Sequence, residues 1–144
     1  MHIQNKQCIN LIKELIDNVT DQNFIWGISI NYNLESELYK KVENLLIENL
    51  SIKELLVCLP NKEKDSWKFD VETIKLLQKL KLFKERRNIR IGIDRDVIPH
   101  RISFAAKFDI SHFVIGKYIY QNNDTQQVIN YLRDIYEQAK SSHH

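Results

Sequence analysis

Asp94 and Gly116 are the residues whose types and positions point most directly to chemistry. Asp94 ends a short apolar segment, Ile89 to Asp94, and Gly116 follows a second one, His112 to Ile115. Such segments are typical of buried parallel strands, and a helix-like stretch separates them. Strand, helix, strand and then glycine is the pattern that ends a (β/α)8 barrel. In these barrels the carboxyl ends of the strands carry the chemistry, and the last two loops often hold a phosphate.

The preceding elements alternate in the same way. Four strands are predicted: Phe24 to Ile30, Ile52 to Leu59, Ile89 to Asp94 and His112 to Ile115. Apolar residues at helical spacing predict helices at Cys8 to Val19, around Leu34 to Leu46, after Asp70, after Pro99 and after Asp124. The predicted order is therefore α-βα-βα-βα-βα, which implies a parallel sheet with right-handed crossovers.

Two helix starts have polar caps. Asp70 is a predicted N-cap, and Asp124 with Gln127 resembles a capping box. The helix after Asp70 carries apolar residues at Val71, Ile74, Leu77 and Leu80. The last helix is expected to bury Val128, Leu132, Ile135 and Ala139.

Bulk properties restrict the class of protein. The 144 residues suit one domain, predicted at 1–140 with a disordered tail at 141–144, whereas a complete barrel typically needs about 250 residues. A content of 43% hydrophobic and 28% charged residues is typical of a globular protein, and a net charge of +2 gives no reason to expect nucleic acid or a membrane surface as partner.

The two cysteines, Cys8 and Cys58, lack metal-ligand spacing, and Cys58 is expected to be a buried thiol. With no signal peptide or apolar span of 18 residues expected, the predicted location is cytoplasmic.

Several segments resemble one family in their order and spacing. His2-Ile3-Gln4 and Trp26 to Asn31 resemble the end of the fourth strand and the fifth strand of ribulose-phosphate 3-epimerase. Ile91-Gly92-Ile93-Asp94 lies where that family has Val-Asp-Gly-Gly, and Val114 to Tyr120 where it has Val-x-Gly-Ser-Ala-Ile. Further likenesses are Leu56 to Pro60, Lys68-Phe69 and Asn123 to Leu132. From about residue 2 to 140, the chain thus resembles the C-terminal half, strands 5 to 8, of a TIM-barrel-type ribulose-phosphate-binding barrel.

The resemblance implies an activity. The family interconverts ribulose 5-phosphate and xylulose 5-phosphate in the pentose phosphate pathway by proton transfer between two aspartates. A divalent metal cation, held by two histidines and the same aspartates, stabilises the enediolate. Glycine-rich loops bind the phosphate.

The resemblance implies roles for four residues. Asp94 matches an aspartate that is both an acid/base and a metal ligand, and Gly116 matches a phosphate-loop glycine. Lys117 stands where the family usually has serine, and where related phosphate-binding barrels often have arginine. Arg95 stands where the family has glycine. Lys117 and Arg95 are therefore candidate phosphate contacts through their side chains.

The departures from the family are large. The second aspartate and both metal-binding histidines belong to strands that the matched half does not include. Asn61 to Trp67 replaces a glycine-rich loop, and Arg95-Asp96 replaces the glycines after the catalytic aspartate. We therefore expect a sugar-phosphate isomerase that is impaired or inactive as this chain alone. Two open strand edges and an uncovered apolar side predict a homo-oligomer or a complementing half-barrel chain.

Other functions and other residue roles also fit the sequence. One is a non-catalytic, diverged half barrel that binds a phosphorylated ligand or a partner chain. Another is a decarboxylase-type phosphate barrel, although its Asp-x-Lys-x-x-Asp cluster is missing. A structural alternative for Asp94 is a helix N-cap or an ion pair with Arg95 or Arg101, and for Lys117 and Arg95 it is a solvated charge.

Overall fold

The computed structural model describes residues 1–19, 23–61 and 69–142, and its strands form one all-parallel sheet. The five strands are β1 (His2–Ile3), β2 (Trp26–Asn31), β3 (Ile52–Cys58), β4 (Arg90–Asp94) and β5 (His112–Phe113). They lie side by side in chain order, each paired in parallel with the next. The predicted α/β class and parallel sheet are confirmed, and the sequential order is consistent with half of a β/α barrel.

Helices connect the strands. They are α1 (Lys6–Asn18), α2 (Ser36–Glu48), α3 (Val71–Arg86), α4 (Pro99–Ala105), α5 (Lys117–Tyr120) and α6 (Thr125–Ser141), with a 3-10 turn at Ala106–Phe108. Helix α6 thus includes the first residue of the predicted tail, and residues 143–144 lie outside the described part. No helix within the described residues combines the length and the apolar character needed to cross a bilayer.

The sheet has one strand more than the four that the apolar segments predict, because β1 is too short to show a period in the sequence. It coincides with His2-Ile3-Gln4, the segment that resembles the end of a family strand. Its position is fixed by β2 instead. The Ser29 backbone N–H donates to the Met1 carbonyl at 2.7 Å, and the N-terminal ammonium donates to the Gly27 carbonyl at 2.8 Å. The tertiary contact, not local propensity, makes this segment a strand.

Both predicted N-caps are confirmed. An Asp70 carboxylate oxygen accepts from the Thr73 N–H at 2.7 Å, and one of Asp124 accepts from the Gln127 N–H at 3.0 Å. Of the apolar residues that the sequence assigns to α3, Leu77 and Leu80 are buried, whereas Val71, the first residue of the helix, is 64% exposed.

The last helix is buried less than predicted. In α6, Leu132 and Ala139 are buried, but Val128 and Ile135 are only half-buried. This helix packs against α4, α5 and the 3-10 turn.

The two faces of the sheet differ in chemistry. Right-handed crossovers between sequential parallel strands place the helices on one face. There the row Ile3, Ile30, Val57 and Ile93 is fully buried. The register puts His2, Ser29, Leu56, Gly92 and His112 in a neighbouring row on the other face. His2 Nδ1 lies 2.8 Å from Ser29 Oγ. The expectation of an apolar open side was therefore wrong for this row, which is mostly polar.

Two glycines form a matched pair for a stability test. A Cβ at Gly92 would lie 2.7 Å from His112 Cδ2 and 2.8 Å from the His112 carbonyl oxygen. Gly92→Ala is expected to lower the free energy of unfolding by about 1–3 kcal/mol, because the β5 backbone must shift. Gly116→Ala is the control and should change it by less than about 0.5 kcal/mol, since nothing lies within 4 Å of a Cβ there. Urea denaturation measures both, and equal losses would contradict the packing at Gly92.

Candidate functional site

The four sequence-predicted site residues line a single cleft at the carboxyl ends of β4 and β5. The cleft has a volume of about 360 Å³, and Asp94, Arg95, Gly116 and Lys117 all contribute to its wall. Although 22 positions separate Asp94 from Gly116, pairing of the two parallel strands aligns their ends. Beyond the ladder itself, the Val114 N–H donates to the carbonyl of Ile93 at 3.0 Å.

Sequence reasoning missed the other residues of the cleft. They are Asp96, Val97, Ile98, Val114, Tyr118 and Gln121. Asp96, Val97 and Ile98 follow the predicted strand end at Asp94, and Val114 lies within the predicted strand before Gly116, so wider segments around Asp94 and Gly116 would have found these four. Tyr118 and Gln121 are three positions apart, a spacing that places both on one side of a helical turn.

Asp94 stabilises the backbone of its own loop. It is half-buried, and its Oδ1 accepts from the Arg95 backbone N–H at 2.7 Å. It does not cap α4, whose N-cap residue is Ile98. The N-cap alternative for Asp94 is therefore wrong. One carboxylate oxygen organises the loop, which leaves the other for a ligand.

The loop after β4 has an uncommon backbone. Arg95 and Asp96 are consecutive non-glycine residues with φ of 73° and 44°, and each such residue costs on the order of 1–3 kcal/mol. These are the positions at which the resembled family has glycines. The glycine-type conformation is thus present without glycine, and it places an arginine side chain at the rim of the cleft.

Restoring glycine at Arg95 should make the protein more stable. Arg95→Gly is expected to raise the free energy of unfolding by about 1 kcal/mol, because relief of strain exceeds the entropy that glycine adds to the unfolded chain. The matched control is Arg90→Gly in the extended backbone of β4, where Arg90 pairs with Glu54 at 2.8 Å. That change should lower stability by about 1 kcal/mol. Thermal and urea unfolding show whether the two substitutions change the stability in opposite directions. If both lower the free energy of unfolding, the backbone at Arg95 is not strained as proposed.

Both signs of charge surround the cleft. The cations are Arg95 and Lys117, both exposed, and the carboxylates are Asp94 and Asp96. Open space in front of Gly116 allows a ligand to approach its backbone. A small ligand that carries an anionic group and several hydroxyls would complement this arrangement.

Cys58 is the neighbour of Asp94 on β3. The prediction of a buried thiol is confirmed, with 7% of the residue exposed. Burial raises its pKa, Arg95 acts to lower it and Asp94 adds to the rise. The thiol therefore stays neutral and is a poor nucleophile.

The described residues do not by themselves fit the divalent metal of the resembled family. Nowhere in 1–19, 23–61 and 69–142 do three His, Cys, Asp or Glu side chains group closely enough to hold a metal ion. The neighbours of Asp94 include Cys58 on β3 and the next residue, Arg95. A metal here requires ligands from elsewhere. Residues 62–68, which include all but the first residue of the predicted loop replacement Asn61 to Trp67, lie outside the described residues.

Comparison with known proteins adds no assignment. No protein-family model matches this chain, and a search of curated proteins finds no matching relative. The chemistry of the cleft therefore has to carry the functional proposal.

Proposed function

We propose that this chain is a diverged half barrel of the ribulose-phosphate-binding type, which binds a phosphorylated sugar at the ends of β4 and β5. The observation that carries the proposal is the convergence of Arg95, Gly116 and Lys117 on one cleft. The two cations come from separate strand ends, so they can contact one ligand from two directions.

The charges suggest how such a ligand would be oriented. A phosphate carries a charge of about −1.5 to −2 near neutral pH and strong acceptor oxygens, which favour Lys117 and the open backbone of Gly116. Arg95 can reach it with a planar pair of donors. Asp94 and Asp96 would repel the phosphate but can accept hydrogen bonds from sugar hydroxyls. We therefore propose that the phosphate lies on the β5 side of the cleft and the sugar on the β4 side.

Calorimetric titration tests this proposal with three ligands. Ribulose 5-phosphate is expected to bind, inorganic phosphate to bind more weakly, and unphosphorylated ribulose to give no measurable binding. Gly116→Ala should lower the affinity for the phosphorylated ligand without loss of folding, because a methyl group would occupy the space through which the phosphate approaches. Absence of binding, or equal affinity for ribulose and ribulose 5-phosphate, would contradict the proposal.

A second candidate is sugar-phosphate isomerisation of the ribulose-phosphate 3-epimerase type, completed by another chain. It is favoured by the position of Asp94, a carboxylate at a strand end inside the same cleft. A two-base epimerisation needs carboxylates on opposite faces of the sugar. Asp94 and Asp96 belong to one loop, so the opposite base and the metal ligands would have to come from a partner.

Asp94→Asn separates catalysis from folding. Asparagine keeps a side-chain oxygen that can accept from the Arg95 N–H, so the loop should persist. In a coupled epimerase assay with added divalent metal, turnover that this change abolishes would support the isomerase. If folded wild-type protein supplied with metal shows no more turnover than Asp94→Asn, the isomerase is contradicted and only ligand binding is supported.

We also propose that the chain assembles, as a homo-oligomer or with a complementing half-barrel chain. Among the described residues, β1 and β5 each pair with one strand only, so each leaves one edge open. On α1, Leu11 and Leu15 are exposed one turn apart. The two cysteines are free, which suits the proposed cytoplasmic location, and the net charge of +2 gives no reason to propose nucleic acid as a partner.

A further inference from the structure

Arg101, in α4, is almost fully buried behind the cleft, with 2% of the residue exposed. Its Nη1 lies 3.3 Å from the carbonyl oxygens of Pro60 and Arg95, and 3.4 Å from that of Asp96. One guanidinium nitrogen thus faces the two left-handed residues after β4 and a residue of the segment that follows β3.

The surroundings of Arg101 are costly for a cation. Among the described residues, Nε has no hydrogen-bond partner. The ring of Phe69 lies 5.8 Å from the guanidinium carbon, and this cation–π contact offsets only part of the cost. Burial lowers the pKa of Arg101, whereas the charges of Asp96 and Asp70 act to raise it. A guanidinium stays protonated under these conditions, so a charge is kept out of water where an apolar residue would pack at lower cost.

We infer that Arg101 is a positioning residue, which holds the loop after β4 in its left-handed conformation so that Arg95 stays at the cleft. This inference rests on the proposed function, because it assigns Arg101 a role in ligand binding through Arg95.

The geometry supports the inference from two sides. Asp94 Oδ1 fixes the N–H of Arg95, and Arg101 faces the carbonyls of Arg95 and Asp96. Together they contact the three peptide units that flank Arg95 and Asp96, in a conformation that costs energy on its own. Pro60 ties the same nitrogen to the neighbouring strand end. Without the guanidinium, the loop can relax toward ordinary backbone angles, which would turn the Arg95 side chain away.

A double-mutant cycle on the full chain tests the role, with ribulose 5-phosphate as the probe. Arg101→Met is expected to weaken binding about tenfold when Arg95 is present, and to have no further effect in combination with Arg95→Gln. Arg101→Lys should restore part of the affinity, because an ammonium can still donate to the carbonyls. It also replaces Arg101→Met in the cycle if that variant does not fold. Additive losses, or wild-type affinity in a folded Arg101→Met protein, would overturn the inference.

A second measurement keeps this inference separate from the proposed function. If the wild-type chain binds no phosphorylated sugar, the proposed function fails, and the ligand-binding role of Arg101 fails with it. Hydrogen exchange at the Arg95 amide then shows whether Arg101 holds the loop at all. Faster exchange in Arg101→Met than in wild type is expected, and equal exchange would overturn the loop-holding role as well.

Discussion

Removal of both cleft cations, in the variant Arg95→Gln/Lys117→Gln, is expected to weaken ribulose 5-phosphate binding about a hundredfold or more. A hydrogen bond to a charged group contributes roughly 1.5–3 kcal/mol, and about 1.4 kcal/mol corresponds to a factor of ten. Both side chains are exposed, so glutamine should be accommodated without loss of folding. Calorimetric titration of the wild type and variant gives the ratio of affinities.

The control removes the same charges elsewhere. Arg90 lies at the opposite end of β4, and Lys40 lies on the exposed side of α2. Arg90→Gln/Lys40→Gln changes the net charge by the same amount, so it reproduces the effect of net charge on anion binding without altering the cleft. If both double variants lose affinity to the same extent, binding reflects net charge, and the assignment of Arg95 and Lys117 to the site is wrong.

Arg87 is expected to have the largest effect on stability. Its guanidinium donates from Nε to the Leu46 carbonyl at 3.0 Å, and from Nη2 to the Ile52 carbonyl at 2.6 Å. It also donates to the carbonyls of Asn88 and Leu50. One buried side chain thus joins the ends of α2 and α3 to the beginning of β3, and at Leu46 it supplies a donor to one of the last carbonyls of α2, which have no partner within the helix.

Arg87→Met should lower the free energy of unfolding by about 2–4 kcal/mol, because several buried acceptors lose their donor at once. That is a large part of the 5–15 kcal/mol typical of a domain. Arg86→Met is the control at the adjacent position. Arg86 is exposed and lies 6.0 Å from the Phe83 ring, so its loss should cost less than about 0.5 kcal/mol. Similar urea midpoints for the two variants would show that the carbonyl contacts of Arg87 contribute little.

The sequence predicted those parts of the fold that local pattern controls. The strands β2, β3 and β4 are apolar runs long enough to recognise, and Asp70 and Asp124 cap helices within three residues of themselves. Strand β1 has two residues, and only its pairing with β2 makes it a strand. Its existence depends on contacts between distant segments, which periodicity does not report.

The candidate site likewise has parts that the sequence could predict and parts that it could not. Strand order in a parallel sheet brings strand ends together, so Asp94 and Gly116 could be placed in one region from sequence. The left-handed backbone at Arg95 and Asp96 could not, because most residues with these side chains adopt ordinary angles. Arg101 could not either, since its partners are carbonyl oxygens of segments up to 41 positions away.

Backbone amide NMR during a titration with ribulose 5-phosphate tests phosphate binding at the cleft most directly. We expect saturable chemical-shift changes concentrated in residues 94–98 and 114–121, with the largest at Gly116 and Lys117, and little change for the same concentration of ribulose. Shifts that are absent, or that centre on another part of the sheet, would contradict a phosphorylated-sugar site at the ends of β4 and β5.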